Sequence, residues 1–144
     1  MTDFDILELE TIDTAQFHVK DAKGRPKFSK NGDPITITAY GPGSKVAAQA
    51  KFAYDSKRSD RTIEKIGGKV ESRTEDVDRR ERAAYLGQLV ASLDFPYAGG
   101  AAALFANPKL RFLADDFEKW WNDAGNFTAD SPSDASSSSD TQPG

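Results

Sequence analysis

The chain reads as an α+β protein: a small antiparallel β hairpin unit at the N-terminus, then three or four helices, then a disordered C-terminal tail. Three observations predict this. Residues 35–40, Ile-Thr-Ile-Thr-Ala-Tyr, are β-branched and alternating, as a half-buried strand should be. From Ser44 onward apolar residues recur at helical spacing between Gly and Pro stops, as helices require. From Asp130 onward there is no aromatic and no branched aliphatic residue, so nothing there can offset the ~1–2 kcal/mol per residue of backbone ordering. The 144 residues fit one folded domain. Its expected extent is 1–127, β-rich over 1–42 and helical over 43–127, with a Ser/Asp-rich tail over 128–144.

Each element has a local reason. Phe4, Ile6, Leu7 and Leu9 form a short, partly alternating run that reads as β structure. Residues 16–20 read as a second strand, and Gly24, Pro26, Asn31-Gly32 and Pro34 punctuate the turn region around Phe28. The connection to residues 35–40 is too short for a crossover helix, so the pairing should be antiparallel. Gly41-Pro42-Gly43 ends that strand, its glycines supplying backbone freedom or close approach, and Ser44 is the expected cap of a helix over 45–66. Val46, Ala47, Ala50, Ala53 and Tyr54 form its apolar stripe, and Gly67-Gly68 its stop. After a polar link over 69–74, a second helix is expected over 75–92, apolar at Val77, Ala83, Leu86, Leu89 and Val90 with Leu93 just beyond. Pro96 forbids its continuation. Gly99-Gly100 precedes a short helix over 101–106. Asn107-Pro108 then pairs a capping side chain with a pre-set helical φ, opening a last helix over 108–124 that Gly125 should stop.

Composition removes several function classes. There is no cysteine and only one histidine, His18, so a disulfide framework, a zinc finger, a thiol nucleophile and a His-His metal site are excluded. The net charge of −4 argues against coating nucleic acid. No stretch reaches the ~20 apolar residues of a membrane span. The first 13 residues carry five acids and no base, the opposite of a signal peptide, so a cytoplasmic protein is expected. Eleven Lys/Arg against eight Asp/Glu over 45–82 make a mildly basic middle between acidic ends, which reads first as solvated helix faces.

The chemistry-bearing residues point away from catalysis. His18 alternates with Phe17 and Val19 and reads as a plain strand residue rather than a base. Asp115, Asp116 and Glu118 are close in sequence, but helical neighbours diverge by about 100°, so they are not a ready metal cage. Gly41-Pro42-Gly43-Ser44-Lys45 lacks the Gly-Lys-Ser/Thr triplet of a phosphate loop. The bases Lys57, Arg58, Arg61, Arg79, Arg80 and Arg82 are interleaved with acids, which favours a solvated face over nucleic-acid binding. No catalytic residue, cofactor or metal is expected. Trp120-Trp121 is more informative: two adjacent helical positions cannot face one core equally. Either one is core and the other lies at a boundary or binding surface, or both are partly buried in a single core.

Three stretches resemble a known family. They are Ile37-Thr38-Ala39-Tyr40-Gly41-Pro42-Gly43-Ser44-Lys45 followed by an Ala-rich, then charged helix; Leu104-Phe105-Ala106-Asn107-Pro108 with Leu110 and Phe112-Leu113-Ala114-Asp115; and the closing Trp121 with Asn126-Phe127-Thr128. In order and spacing they resemble the tail assembly chaperones of long-tailed bacteriophages. The likeness spans residues 35–128 and leaves out residues 1–28 and the tail. It implies a non-enzymatic protein of the infected host cytoplasm. Such a protein binds the tape measure protein, keeps it soluble, helps recruit major tail tube subunits and is absent from the mature virion; many are made in two lengths by a translational frameshift. A client of long amphipathic helices calls for an apolar or aromatic groove with a charged rim. Tyr54, Leu86, Phe112, Phe117, Trp120 and Trp121 are its expected lining, with Arg58, Arg61, Arg79 and Arg80 on the rim; self-association is compatible with the same chain. The main alternative is a structural virion component, a small tail or head-tail connector protein whose hairpin adds to a neighbour's sheet. A small nucleic-acid or regulatory binding protein is a third reading.

Overall fold

The β-branched run forms the centre of the sheet. In a computed structural model, which describes residues 5–66 and 75–128, Thr14–His18 (β1) and Thr36–Tyr40 (β2) pair antiparallel with Phe17 opposite Ile37. Val90–Leu93 (β3) pairs with the other edge of β2, Leu93 opposite Ile37, with an irregularity at Thr38/Ala39. Side chains alternate across a strand, so Phe17, Ile37 and Ala39 all turn inward and are buried. The β1–β2 connection is the expected long hairpin. Gly24 and Gly32 turn it with φ of +81° and +86°, and bridges at Lys20–Pro26 and Phe28–Pro34 extend it.

Helix Lys45–Ile66 (α1) starts as expected: Ser44 Oγ accepts the Ala47 N–H at 3.1 Å and donates to the Gly41 carbonyl at 2.8 Å. Only part of the expected stripe is inside. Ala47 and Ala50 are buried, whereas Val46 and Ala53 are exposed, because a narrow small-residue face suffices against the next helix. That helix, Glu75–Gln88 (α2), carries Ala83, Tyr85 and Leu86 inward. Gly100–Ala106 (α3) lies so close to it that a Cβ on Gly87 would fall 2.9 Å from Ala102 Cα. After a 3₁₀ turn at Pro108–Leu110, capped by Asn107 Oδ1 accepting the Lys109 N–H, comes Arg111–Trp121 (α4). A further 3₁₀ turn, Ala124–Phe127, returns the chain to the sheet, where the Phe127 carbonyl accepts the Ile12 N–H at 2.7 Å.

The α+β class is as expected, with three corrections. The run at Ile6, Leu7 and Leu9 is a 3₁₀ turn, Ile6–Leu9, not a strand: Asp5 Oδ1 accepts the Leu7 N–H at 3.0 Å, a local bond that competes with extended pairing. The second helix stops at Gln88 instead of 92, because residues 90–93 complete the free edge of β2. The last helix is shorter at both ends, and Gly125 sits inside the following turn, where its N–H donates to Asp123 Oδ1. The expectations for Phe4, the Gly67-Gly68 stop, the link over 69–74 and the tail from 129 onward lie outside the described residues.

The core joins sheet and helices through aromatic rings. Phe117 is fully buried and meets Phe17 edge-on at 5.7 Å and Phe105 stacked at 5.0 Å. Phe127 is fully buried beside Trp120 and Trp121. Each such pair adds about 0.5–1.5 kcal/mol beyond its area burial.

Candidate functional site

The expected single groove resolves into core, two clefts and a surface ion pair. Leu86 and Phe117 are fully buried and cannot line a groove: each faces the centre of its helix's apolar stripe. Trp121 is 8% exposed and its indole N–H donates to the Tyr40 carbonyl at 2.8 Å, so it belongs to the core. Phe112 is half-buried against that core. Arg80 is on the surface, paired with Asp76 at 2.6 Å. The side chains of Arg58 and Arg61 lie outside the described residues.

Tyr54 and Arg79, by contrast, meet in one open cleft of about 280 Å³ between α1, α2 and the helices that follow. Its aromatic lining is the half-buried Tyr54 over the buried Phe105, with Arg79, Arg82 and Arg111 around it and the acids Glu75 and Asp78 on the same wall. Tyr54 is held flat against Tyr85, ring centroids 4.7 Å apart and 8° from parallel. Two of the arginines are fixed. Arg79 Nε donates to the Ala106 carbonyl at 3.0 Å while its Nη atoms reach Glu75 and Asp76. Arg82 donates twice to Glu118 Oε1, at 2.9 and 2.6 Å, and once to Asp115 at 2.8 Å. Arg111 is exposed and makes no ion pair among the described residues.

These contacts fix the charge pattern. The Glu75 hydrogen bond raises the Arg79 guanidinium above its ordinary range, with the Glu75 and Asp76 charges adding to it. Burial pulls Arg82 down, but the hydrogen bonds and charges of Glu118 and Asp115 more than offset it. Both arginines are therefore permanent cations with their orientation locked, and Arg111 is the cleft arginine without an ion pair among the described residues. Burial raises the Tyr85 phenol, and the Glu118 charge adds to it, so Tyr85 stays neutral as the apolar backing for Tyr54.

Trp120 lies elsewhere. It is half-buried, its ring 5.4 Å from Phe17 and 5.0 Å from Phe127, and borders a second cleft of about 350 Å³ with Lys20, Asp116, Lys119 and Asn126. At 100° per residue, Arg111, Asp115 and Glu118 share one side of α4, while Asp116 and Trp120 share another. Sequence reasoning missed Phe105, Arg82 and Arg111 as lining residues. Arg82 was within reach, being one turn after Arg79 on the same face; Phe105 and Arg111 join only through the turn at Asn107-Pro108. Of the other chemistry-bearing residues, His18 is buried, with Nε2 2.8 Å from the Lys27 carbonyl, inside the hairpin. Among the described residues no group of three acids or histidines is placed to hold a metal, and no helix is long and apolar enough to cross a membrane.

The fold and the cleft thus define an α+β protein with a three-stranded antiparallel sheet and an aromatic cleft rimmed by both charges. Comparison with protein-family models, with curated proteins and with solved structures returns no match.

Proposed function

We propose that this chain is a non-enzymatic assembly chaperone for the tails of long-tailed bacteriophages, binding amphipathic helices of the tape measure protein and promoting assembly of the tail tube. The observation that carries the reading is the Tyr54–Phe105 cleft. An amphipathic helix presents apolar anchors about every 3.6 residues with charges beside them. The cleft offers the reverse: the half-buried Tyr54 ring for an anchor, with the buried Phe105 as its floor, and the exposed Arg111 guanidinium for client Glu or Asp. Its volume suits a few anchor side chains rather than a whole helix, which gives a hot spot surrounded by weaker contacts. The resemblance of residues 35–128 to the tail assembly chaperones supports the same reading, with the protein acting in the host cytoplasm and left out of the finished particle.

Co-expression with a tape measure protein tests it. The chain should keep that client soluble and co-purify with it, and Arg111→Glu should reduce the capture while leaving the chain folded. A client equally soluble without the chain would overturn the proposal. The structural-component reading rests on β3, an edge strand with Ala91 and Ser92 exposed, open to strand addition by a neighbour. Mass spectrometry of purified particles separates the two: a chaperone is missing, a structural part is present in many copies.

A further inference from the structure

Six large apolar side chains are exposed among the described residues, and five of them fall on two short segments. Ile6, Leu7 and Leu9, each exposed by more than 60%, stand on the 3₁₀ turn; Val46 and Phe52 stand on α1, Phe52 being 75% exposed. The turn has a defined shape. Asp5 caps it through the Leu7 N–H, the Glu10 N–H closes it on the Leu7 carbonyl at 3.1 Å, and Ile12 just beyond is tied to Phe127. Its apolar side chains are flanked by the exposed acids Asp5 and Glu10. On α1, Val46, Phe52 and Ala53 stand at i, i+6 and i+7, with Gln49 between them at i+3. At 100° per residue these four positions fall within one third of the helix circumference, so they form one exposed stripe, apolar apart from the Gln49 amide. Lys45 and Lys57 stand at its two ends, both exposed and without an ion pair among the described residues.

We infer that the acidic turn of one copy docks on the basic α1 stripe of a second copy of this chain. One surface is acidic and apolar, the other basic and largely apolar, and both are open in the same molecule, so neither covers the other within it. In the pair, Ile6, Leu7 and Leu9 lie against Phe52 and Val46, and Asp5 and Glu10 meet Lys45 and Lys57. The Gln49 amide, in the middle of the stripe, is left to bond the backbone of the docked turn. A two-fold exchange makes this contact twice and closes the assembly as a dimer. Neither the turn nor the stripe contributes a residue to the Tyr54–Phe105 or Trp120 cleft, so client binding and self-docking can be tested apart.

Sedimentation velocity of the full chain over a concentration series reads the proposal. The expected species is a dimer, twice the 15.7 kDa chain mass, loosened by salt because its charge pairs are at the surface. Leu7→Glu and Phe52→Glu should each weaken association by about tenfold or more, with circular dichroism and melting unchanged because both side chains are exposed. Glu10→Lys should weaken it, and adding the single reversal of the lysine that Glu10 faces, Lys45→Glu or Lys57→Glu, should restore it in one of the two combinations. If either glutamate variant fails to fold, Leu7→Ser and Phe52→Ser carry the same reading. A monomer at every concentration, or a dimer indifferent to both substitutions, would overturn the inference. A monomer whose client capture falls with Phe52→Glu would also overturn it, assigning the stripe to the client.

Discussion

The indole N–H of Trp121 donates to the carbonyl oxygen of Tyr40 at 2.8 Å, joining the end of α4 to the end of the central strand. Its neighbour Trp120 leaves the core centre and packs against Phe17, Phe117 and Phe127 at the edge of a cleft. The adjacent pair is thus divided by helical rotation into a buried anchor and a boundary residue.

Trp121→Ala should cost about 3–5 kcal/mol, the range for emptying a large aromatic from a core. Trp121→Phe keeps a ring but deletes the donor and should cost about 1–2 kcal/mol. Trp120→Ala should cost less than Trp121→Ala yet more than a surface change, since three rings pack on it. Urea melts of the three variants check the order, and equal costs for Trp120→Ala and Trp121→Ala would contradict the division.

Arg82 ties α2 to α4 by facing Glu118 and Asp115 together. Arg82→Met removes the cation and leaves two carboxylates side by side. With Arg82 25% and Glu118 35% exposed, solvent screens part of the loss, and about 1–2 kcal/mol is expected. Arg82→Lys should recover little, because an ammonium cannot reproduce the fork. The difference from wild type should shrink in high salt.

Close approach, not turn angle, governs the glycine at the end of the central strand. A Cβ on Gly41 would run into the Ile12 carbonyl, and one on Gly87 would meet the backbone of Ala102 at 2.9 Å, whereas Gly43 faces only Thr11 Oγ1 at 3.3 Å. Gly41→Ala and Gly87→Ala should each cost about 1–3 kcal/mol and Gly43→Ala less, in denaturant melts. Ser44→Ala should fall at about 0.5–2 kcal/mol for its lost cap.

Tyr85 sets an alkaline limit. Burial first, then the charges of Glu118, Asp55 and Tyr54, raise its folded-state value above the ordinary phenol value of about 10. Below that value the phenol is neutral in both states and its contribution is fully present. As pH rises further the unfolded chain releases the proton before the folded one does, so stability is lost through the folded-state value. The gap in stability between wild type and Tyr85→Phe should change as pH rises above about 10, the ordinary phenol value, with wild type losing more; parallel pH profiles would count against it.

The central strand, the Ser44 cap, α1 and the turn at Asn107-Pro108 were legible because each rests on neighbours in sequence. β3 was not. Leu86, Leu89, Val90 and Leu93 satisfy a helical period, and the pull toward strand comes from the open edge of β2, some fifty residues earlier. The Ile6–Leu9 run misleads for the opposite reason, a local cap overriding its alternation. The cleft was half legible. Tyr54 and Arg79 follow from pattern, but Leu86 and Phe117 look like surplus apolar residues until the three-dimensional packing consumes them. Arg111 joins the cleft lining only from where the preceding turn sets the start of α4.

The most direct test of client binding at the Tyr54–Phe105 cleft is calorimetric titration of the full chain with an amphipathic helical segment of a tape measure protein. Arg111→Glu should weaken binding by about tenfold or more while leaving the melting temperature in place, and Lys119→Glu, beside the second cleft, should bind as wild type does. Normal affinity in Arg111→Glu with loss in Lys119→Glu would contradict the account and move the client to the Trp120 side.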